Sequence, residues 1–493
     1  MTGATVNAAE TESSGWRRLS PRMLLVHPVH EVLRQLPLVI GSIVLGSATQ
    51  NPLWSLLGVG LIVAMGLARW FTTTYRIDAE NVALRTGVLQ RNTLSVPRNR
   101  IRSVQTDARP LHRLLGLTVV RVTTGQQATG AGVFELDAVP SDQVPGLRAV
   151  LLADSLASTE PQRGPDGVVL AAWRPAWLRY SPLSFSGLVA VSAGVGLVYQ
   201  AGFGEALRSS DAVQSGLDAA ARVGVATAVA VVVTAVVLLS VVLAVGRALG
   251  TYGILVLTRR AETLHLVHGL LRVRERTYDL SRLRGGTLRE PLLVRAFGGA
   301  RLDAVMTGVG GTGESALLLP PCPADTARRV LTGLVERPDV VTGALVPHGP
   351  AAARRRWVRA MVVPALAAVV LLVANVTGGA PFWLWPLWLA VLAGSAALAF
   401  DRVRALGHRV DGAWLVGGSG SVERRRDCIS TAGIIGWTVR QTWFQRRAGV
   451  ATLVAATAAG TKRYVLIDVP AEQAWAIAGQ ASPWVAESVW AHS

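Results

Sequence analysis

The sequence predicts a membrane protein of six transmembrane helices in three hairpins, each hairpin followed by a cytoplasmic β-barrel domain with a C-terminal helix. Three observations carry this expectation. The 493-residue chain is 51% hydrophobic and only 16% charged, with a mean hydropathy of +0.39, whereas soluble globular proteins carry about 25% charged residues. Four long uncharged stretches are flanked by arginine. The polar segments that follow them repeat one another.

The elements follow in order. Residues 1–31 form a polar tail with no apolar core, so they are no signal peptide and are expected on the cytoplasmic side. Residues 35–68 hold no charge; the polar run from Ser47 to Pro52 breaks them, and 32–71 is read as the first hairpin. A span needs about 20 apolar residues, so this pair barely crosses twice and a partly re-entrant path stays open. A polar domain, 72–156, and a linker, 157–181, come next. Uncharged residues 180–204 and 223–246 give a second hairpin within 182–249, then a domain at 250–345 and a basic linker at 346–359. Residues 360–400 are again uncharged, interrupted between Asn375 and Pro381, and make the third hairpin. The last domain is 401–493.

Charge fixes the orientation. The net charge is +18 from 49 basic and 31 acidic residues, and Lys462 is the single lysine, a bias expected of a GC-rich bacterial genome. The short loops near 47–52 and 375–381 carry no charge, and the loop at 205–222 has Arg208 and Arg222 against Glu205, Asp211 and Asp218. The opposite flanks hold Arg17, Arg18, Arg69, Arg174, Arg179, Arg247, Arg259, Arg354, Arg359, Arg402 and Arg404, among others. Arginine excess marks the cytoplasmic side, which places both termini and all three domains there.

The three domains share landmarks. Gly87-Val-Leu-Gln-Arg91, Arg100-Ile101 and Arg113-Leu-Leu-Gly116 recur 182 residues later as Gly269-Leu-Leu-Arg-Val273, Arg282-Leu283 and Arg295-Ala-Phe-Gly298. At a shift of 333 they become Gly420, Arg424, Ile434 and Arg446-Arg-Ala-Gly449. Each domain also ends in a strand running into proline, at Pro140, Pro320 and Pro470. Such periodicity is the mark of a duplicated unit. Inside the first domain, β-branched runs at 72–77 and 82–86 surround the turn Asp78-Ala-Glu-Asn81, a hairpin pattern. Further strands are expected at 91–96, 101–106, 117–124 and 133–139, and Pro140 is placed to open a helix at 141–152.

In Thr74-Tyr-Arg-Ile, Arg85-Thr-Gly-Val-Leu, Arg100-Ile-Arg-Ser-Val-Gln and Leu111-His-Arg-Leu-Leu-Gly-Leu-Thr-Val-Val-Arg-Val, the chain resembles bacterial pleckstrin-homology-like (PH-like) membrane-flanked domains in the three-domain, YdbT-like arrangement. The second domain keeps Tyr252-Gly-Ile and Arg295-Ala-Phe-Gly; in the third, Gly433 replaces the central arginine. The resemblance implies PH-like barrels, a place in the bacterial plasma membrane, a role in the cell envelope, and a smaller single-domain relative as partner.

Motifs for other chemistry find no support. Gly308-Val-Gly-Gly-Thr-Gly313 has dinucleotide-loop spacing, but the following Glu314-Ser-Ala-Leu-Leu-Leu-Pro reads as a strand, and that loop needs a helix there. With one lysine, Lys462, outside any glycine-rich loop, a P-loop is excluded. The pairs His27/His30 and His265/His268 lack a third ligand, and Cys322 and Cys428, expected in loops or strand ends, lack a histidine at meaningful spacing. No catalytic residue, cofactor or metal is therefore expected. The uncharged stretches hold no ionisable group of the kind coupled transporters use at membrane depth.

The basic clusters are the remaining candidates. Arg98, Arg100 and Arg102 alternate, and period two would set them on one face of a strand; Arg354, Arg355, Arg356 and Arg359 abut a span beside Trp357. Both clusters are candidates for binding an anionic bilayer or a partner. Nucleic acid is disfavoured, because no aromatics interleave with these charges. The expectation is a non-enzymatic inner-membrane scaffold or adaptor whose domains bind headgroups or proteins; the alternative is a lipid or small-hydrophobe transporter using the six-helix bundle.

Overall fold

The structure is a computed structural model. It describes residues 16–23, single positions between 51 and 70, and 71–487 apart from 88–90, 124–133, most of 148–166 and 199–223, 308–315 and isolated others. The expected first helix pair lies almost wholly outside the described residues. The chain divides into two compact units, Met1–Val169 with Ile254–Ser281 and Leu170–Gly253 with Arg282–Ser493.

In the first unit, β1 (Arg17–Arg18), β2 (Thr74–Ile77), β3 (Asn81–Thr86) and β4 (Asn92–Pro97) form one antiparallel sheet in that order. The predicted turn is there: Asp78 N donates to Asn81 O at 2.8 Å, and Arg76 Nε holds Asp78 Oδ1 at 2.7 Å. Beyond it β5 (Ser103–Ala108), the short helix α1 (Pro110–Leu114), β6 (Leu117–Thr123) and β7 (Phe134–Pro140) follow. Alternation along these strands points Val82, Leu84, Val104, Val120, Val122 and Leu136 into one core, which Val144 and Leu151 cover from the segment after Pro140. That is the expected half-open barrel with a closing helical segment.

The recurring Arg-x-x-Gly motif has a physical reason. Gly116, Gly298 and Gly449 all have φ near +65 to +75°, and each amide returns to the arginine three residues earlier, Arg113 O, Arg295 O or Arg446 O. A left-handed residue ends a helix this way, and glycine adopts it at least cost.

The sheets do not stop at the repeat boundaries. After β8 (Val168–Ala172), which carries the chain into the second unit, the strands β9 (Val256–Arg260), β10 (Thr263–His268) and β11 (Val273–Asp279) come from the second repeat. They belong to the first unit because β11 pairs antiparallel with β5, Gln105 facing Arg276 and Ala108 facing Val273. Strands of two successive domains thus share one sheet, which within this unit runs β7-β6-β5-β11-β10-β9.

The second unit repeats the device. Its helices α2 (Ser186–Val198) and α3 (Val225–Tyr252) pack together. They lead to β12 (Leu283–Pro291), α4 (Leu292–Ala296), β13 (Gly299–Met306), β14 (Ala316–Pro323), α5 (Ala324–Val335) and β15 (Val346–Pro347). A helix pair, α6 (Gly349–Gly378) and α7 (Leu384–Ala405), precedes β16 (Gly407–Asp411), β17 (Trp414–Ser419) and β18 (Glu423–Ser430). Strand β18 pairs with β12 from Gly285–Ile429 to Pro291–Glu423, so one sheet has the order β14-β13-β12-β18-β17-β16-β15. The last strands, β19 (Ile434–Arg440), β20 (Val450–Thr457) and β21 (Arg463–Pro470), form a separate sheet, with α8 (Trp443–Arg447) between the first two and α9 (Ala474–Ala481) after them.

The registers recur. Asn81 faces Pro97, Thr263 faces Asp279 and Trp414 faces Ser430, successive shifts of 182 and 151 residues. The junctions obey the same rule: Gln105–Arg276 becomes Thr287–Asp427 when each residue is moved one repeat on. At the second junction Gly285, with φ +133°, lies so close that any Cβ would strike the Cys428 carbonyl oxygen.

Among the described residues three helices, α3, α6 and α7, are long and apolar enough to cross a membrane. Their apolar side chains stay exposed, as with Val231, Val242, Val363 and Val370, and a helix that is apolar all round without being buried faces lipid. Trp388 Nε1 on α7 donates to Pro364 O on α6 at 2.9 Å, which ties the third pair together. Six spans were expected from the sequence; the described residues contain these three, and α2, at 13 residues, is shorter.

Several motifs find their places. Ala316 opens β14 directly after the glycine-rich loop, whose residues 308–315 lie outside the described set; a strand stands where a dinucleotide loop needs a helix. His265 and His268 lie on opposite sides of β10, with His265 Nδ1 3.1 Å from Thr277 Oγ1, whereas His27 and His30 are outside the described residues. Cys322 and Cys428 lie toward the ends of β14 and β18, fully buried, the strand-end member of the two placements expected. Burial pushes both thiols up to about 12, so they pack as small apolar groups.

Candidate functional site

Helix α6 follows its N-cap His348, whose buried ring donates from Nδ1 to Ile467 O at 2.8 Å and stands 5.1 Å from the His408 ring. Burial lowers both imidazoles below their ordinary value, His408 to about 4. The next turns carry the predicted arginines, and helical geometry divides them. Arg354 and Arg359 are exposed, while Arg356 is 9% exposed and lies on the buried face with Ala352.

Arg355 and Arg356 converge on Asp468 of β21. Arg355 Nε is 3.2 Å from Asp468 Oδ1 and Arg356 Nη2 is 2.8 Å from Oδ2. Asp468 is fully buried, and Gln445 Nε2 donates to Oδ1 at 2.9 Å. Gln445 is itself fixed by the capping box it forms with Thr442 at the start of α8. Both guanidiniums are therefore partly committed to structure: they pin the foot of α6 to the last sheet. Sequence reasoning missed Asp468, although an acidic residue inside the apolar run Tyr464–Val469 was a usable signal.

A cavity of about 290 Å³ opens beside this clamp, lined by Arg356, Arg402, Leu406, Ser419, Gly420, Glu423, Arg425 and Ile467. Its walls come from the third turn of α6, the last turn of α7, the β17–β18 turn and β21. Arg425 Nη2 pairs with Glu423 Oε2 at 2.6 Å. Arg402 has no ion-pair partner among the described residues, and Arg356 Nε is buried without a hydrogen-bond partner. Three guanidiniums against one carboxylate leave the cavity positive. Planar guanidinium groups bind phosphate oxygens bidentately, and the volume suits a phosphate-bearing headgroup rather than a large ligand. Gly420, with φ +90°, shapes the wall: a Cβ there would strike the Glu423 carbonyl oxygen.

The other predicted cluster is placed differently. Arg98 belongs to a turn, its N–H donating to Glu80 O at 2.9 Å and its carbonyl accepting from Ile101 N at 3.0 Å. The corresponding segments of the other repeats, Leu280–Arg282 and Thr431–Gly433, are single 3-10 turns. Arg98 itself is thus in a turn rather than a strand. Arg100 and Arg102 lie outside the described residues. From the sequence Arg402 was only a flanking charge and Arg425 only part of the basic run Arg424–Arg426, neither a candidate site residue, until the fold brings α7 and β18 beside α6. A second, larger cavity of about 510 Å³ lies on the β19–β20–β21 face, with Arg440 and Arg463 among threonines.

Comparison with known proteins adds one finding. No curated protein and no solved structure matches the chain significantly. The bacterial PH domain family matches residues 31–155 and again 358–483. Each match starts in or beside an apolar pair and runs to the end of the strands behind it, so the family model matches two copies where three were expected. With these matches covering just over half of its length, the chain belongs to the bacterial PH domain family.

Proposed function

We propose that this protein is a scaffold of the bacterial plasma membrane: six spans in three hairpins, three PH-like domains on the cytoplasmic side, the middle repeat counted as the third, and no catalytic role. PH-like domains are in general binding modules. The observation that carries the reading is the positive cavity at the feet of α6 and α7, where Arg356, Arg402 and Arg425 converge next to helices whose flanks face lipid. An anionic headgroup seated there would hold the barrel face on the leaflet, and Arg354 and Arg359 would add about 1 kcal/mol each of attraction to an anionic surface.

The test is retention of anionic lipid by the full chain in discs of mixed phosphatidylglycerol and phosphatidylcholine, read by native mass spectrometry. Arg402→Glu is expected to lower retained phosphatidylglycerol at least fivefold. Arg329→Glu, the same charge change on an exposed face of α5, is expected to leave it unchanged. Equal losses from both variants would reduce the site to general surface charge and end the proposal.

A further inference from the structure

Twice within the chain the last strand of one repeat's opening sheet pairs with the first strand of the previous repeat's closing sheet: β11 on β5, and β18 on β12. Two strands of these same types are left over. Among the described residues, β4 is the terminal strand of its sheet, and β19 is the terminal strand of the last sheet. β4 is the counterpart of β11 and β18; β19 is the counterpart of β5 and β12. We propose that β4 of one molecule pairs with β19 of a second copy of this chain, making between molecules the junction that each molecule makes twice within itself.

The repeated register dictates the pairing. Moving Gln105–Arg276 and Thr287–Asp427 to the free strands sets Thr438 opposite Leu94. Val439 then faces Thr93, Arg440 faces Asn92, and Trp437 faces Ser95. No like charges meet. β4 carries no charged residue and β19 only Arg440, so neither edge has the lysines or inward charges that natural proteins use to keep an edge unpaired. Four to seven facing positions hold the internal junctions, and β4 offers six residues.

Strand β19 is also preshaped. The β12–β13 ladder shifts register between Leu283 and Gly285, and the β19–β20 ladder does so between Ile434 and Gly436, one repeat on. At Gly285 any side chain would strike the pairing strand β18. Its counterpart Gly436 meets nothing nearer than Ala456 Cβ at 3.8 Å, so no described neighbour in its own molecule demands glycine there, while an incoming strand would. Exposure completes the comparison: Thr287, paired, is 5% exposed and donates to Asp427 Oδ1 at 2.6 Å, whereas its counterpart Thr438 is exposed.

The contact joins unlike surfaces, so it is heterologous and propagates, closing into a ring if the rotation allows and otherwise extending as a row. It does not depend on the headgroup site. The test uses two differently tagged full-length chains made together in one membrane, Asn92→Cys in one and Arg440→Cys in the other. Cys322 and Cys428 are buried and stay in place. Mild oxidation is expected to join the two tags by a disulfide, because directly opposed residues bring their Cβ atoms within about 5 Å. Thr93→Cys with Arg440→Cys, one residue out of register and on the other face, is expected to give at least tenfold less. Thr438→Lys, on an exposed side chain, is expected to cut the in-register yield at least tenfold with unchanged thermal stability. Equal yields in and out of register would overturn the proposal. So would a disulfide formed only within one doubly substituted chain, or capture of the Asn92→Cys chain by a different protein with no joined tags.

Discussion

Asp468→Asn isolates the clamp at the foot of α6. Asparagine keeps the size of the side chain, can still accept from Gln445, and tolerates the left-handed backbone, φ +58°, better than most residues. What it removes is the charge that two guanidiniums share, with side chains only 16% and 11% exposed. Breaking a buried pair while its partner stays buried costs about 3–5 kcal/mol. At roughly 2–4 °C per kcal/mol for a unit of this size, the melting midpoint in lipid discs should fall by about 6–20 °C, followed by the fluorescence of the 15 tryptophans. Arg356→Gln in the same background should add little, since the partner has already lost its charge. A fall of less than about 3 °C, below the range that this cost implies, or full additivity of the two changes, would show that the clamp contributes no coupling and that α6 is positioned by its apolar contacts alone.

Two further outcomes follow from the buried titratable groups. His408, lowered from 6.5 to about 4, and His348, lowered in the same direction, are held neutral in the folded protein, so the unfolded chain takes up protons first. Their stabilisation is present above pH 6.5 and is lost as pH falls from 6.5 toward 4, by about 3 kcal/mol for His408; thermal midpoints measured across this range should show the decline, and His408→Gln should flatten it. With thiols raised to about 12, Cys322 and Cys428 should stay unlabelled by maleimide at about pH 7.5 in the folded chain and react fully in denaturant. Labelling of either at the rate of free cysteine would contradict its place inside a strand.

Much of the local structure was legible. The turn at Asp78, the strands around it, the Arg-x-x-Gly helix stops and the strand ends at Pro140 and Pro470 follow from residue types acting over a few positions, where pattern and geometry correspond; in the middle domain β14 runs past the expected Pro320 to Pro323. What the sequence did not disclose were partnerships over long separations. A strand's alternation says that β5 is a strand and which face is buried, but Asp107 meets Arg272 only because the two edges are joined, and no pattern near either residue specifies the other. The basic run at Arg354 shows the same limit. Its charge suggested lipid for all four arginines, while the choice of which face turns inward was made by Asp468, more than a hundred positions away in the last sheet. For Arg98, Arg100 and Arg102, a pattern of period two has meaning only in extended chain; Arg98 sits in a turn, and the other two lie outside the described residues.

The borrowed strands set an order of events during synthesis. The first unit needs Ile254–Ser281, which the ribosome makes only after the helices that follow residue 181. At about 5–20 residues per second, the stretch from residue 169 to residue 281 takes roughly 5–20 s, and throughout that interval β5 waits with an open edge. The first sheet is therefore completed only after α3 has been made, so the first domain stays unfinished while the second helix pair is synthesised. A fragment cut at residue 156 would keep its core but lack the three strands that its own sheet takes from the next repeat.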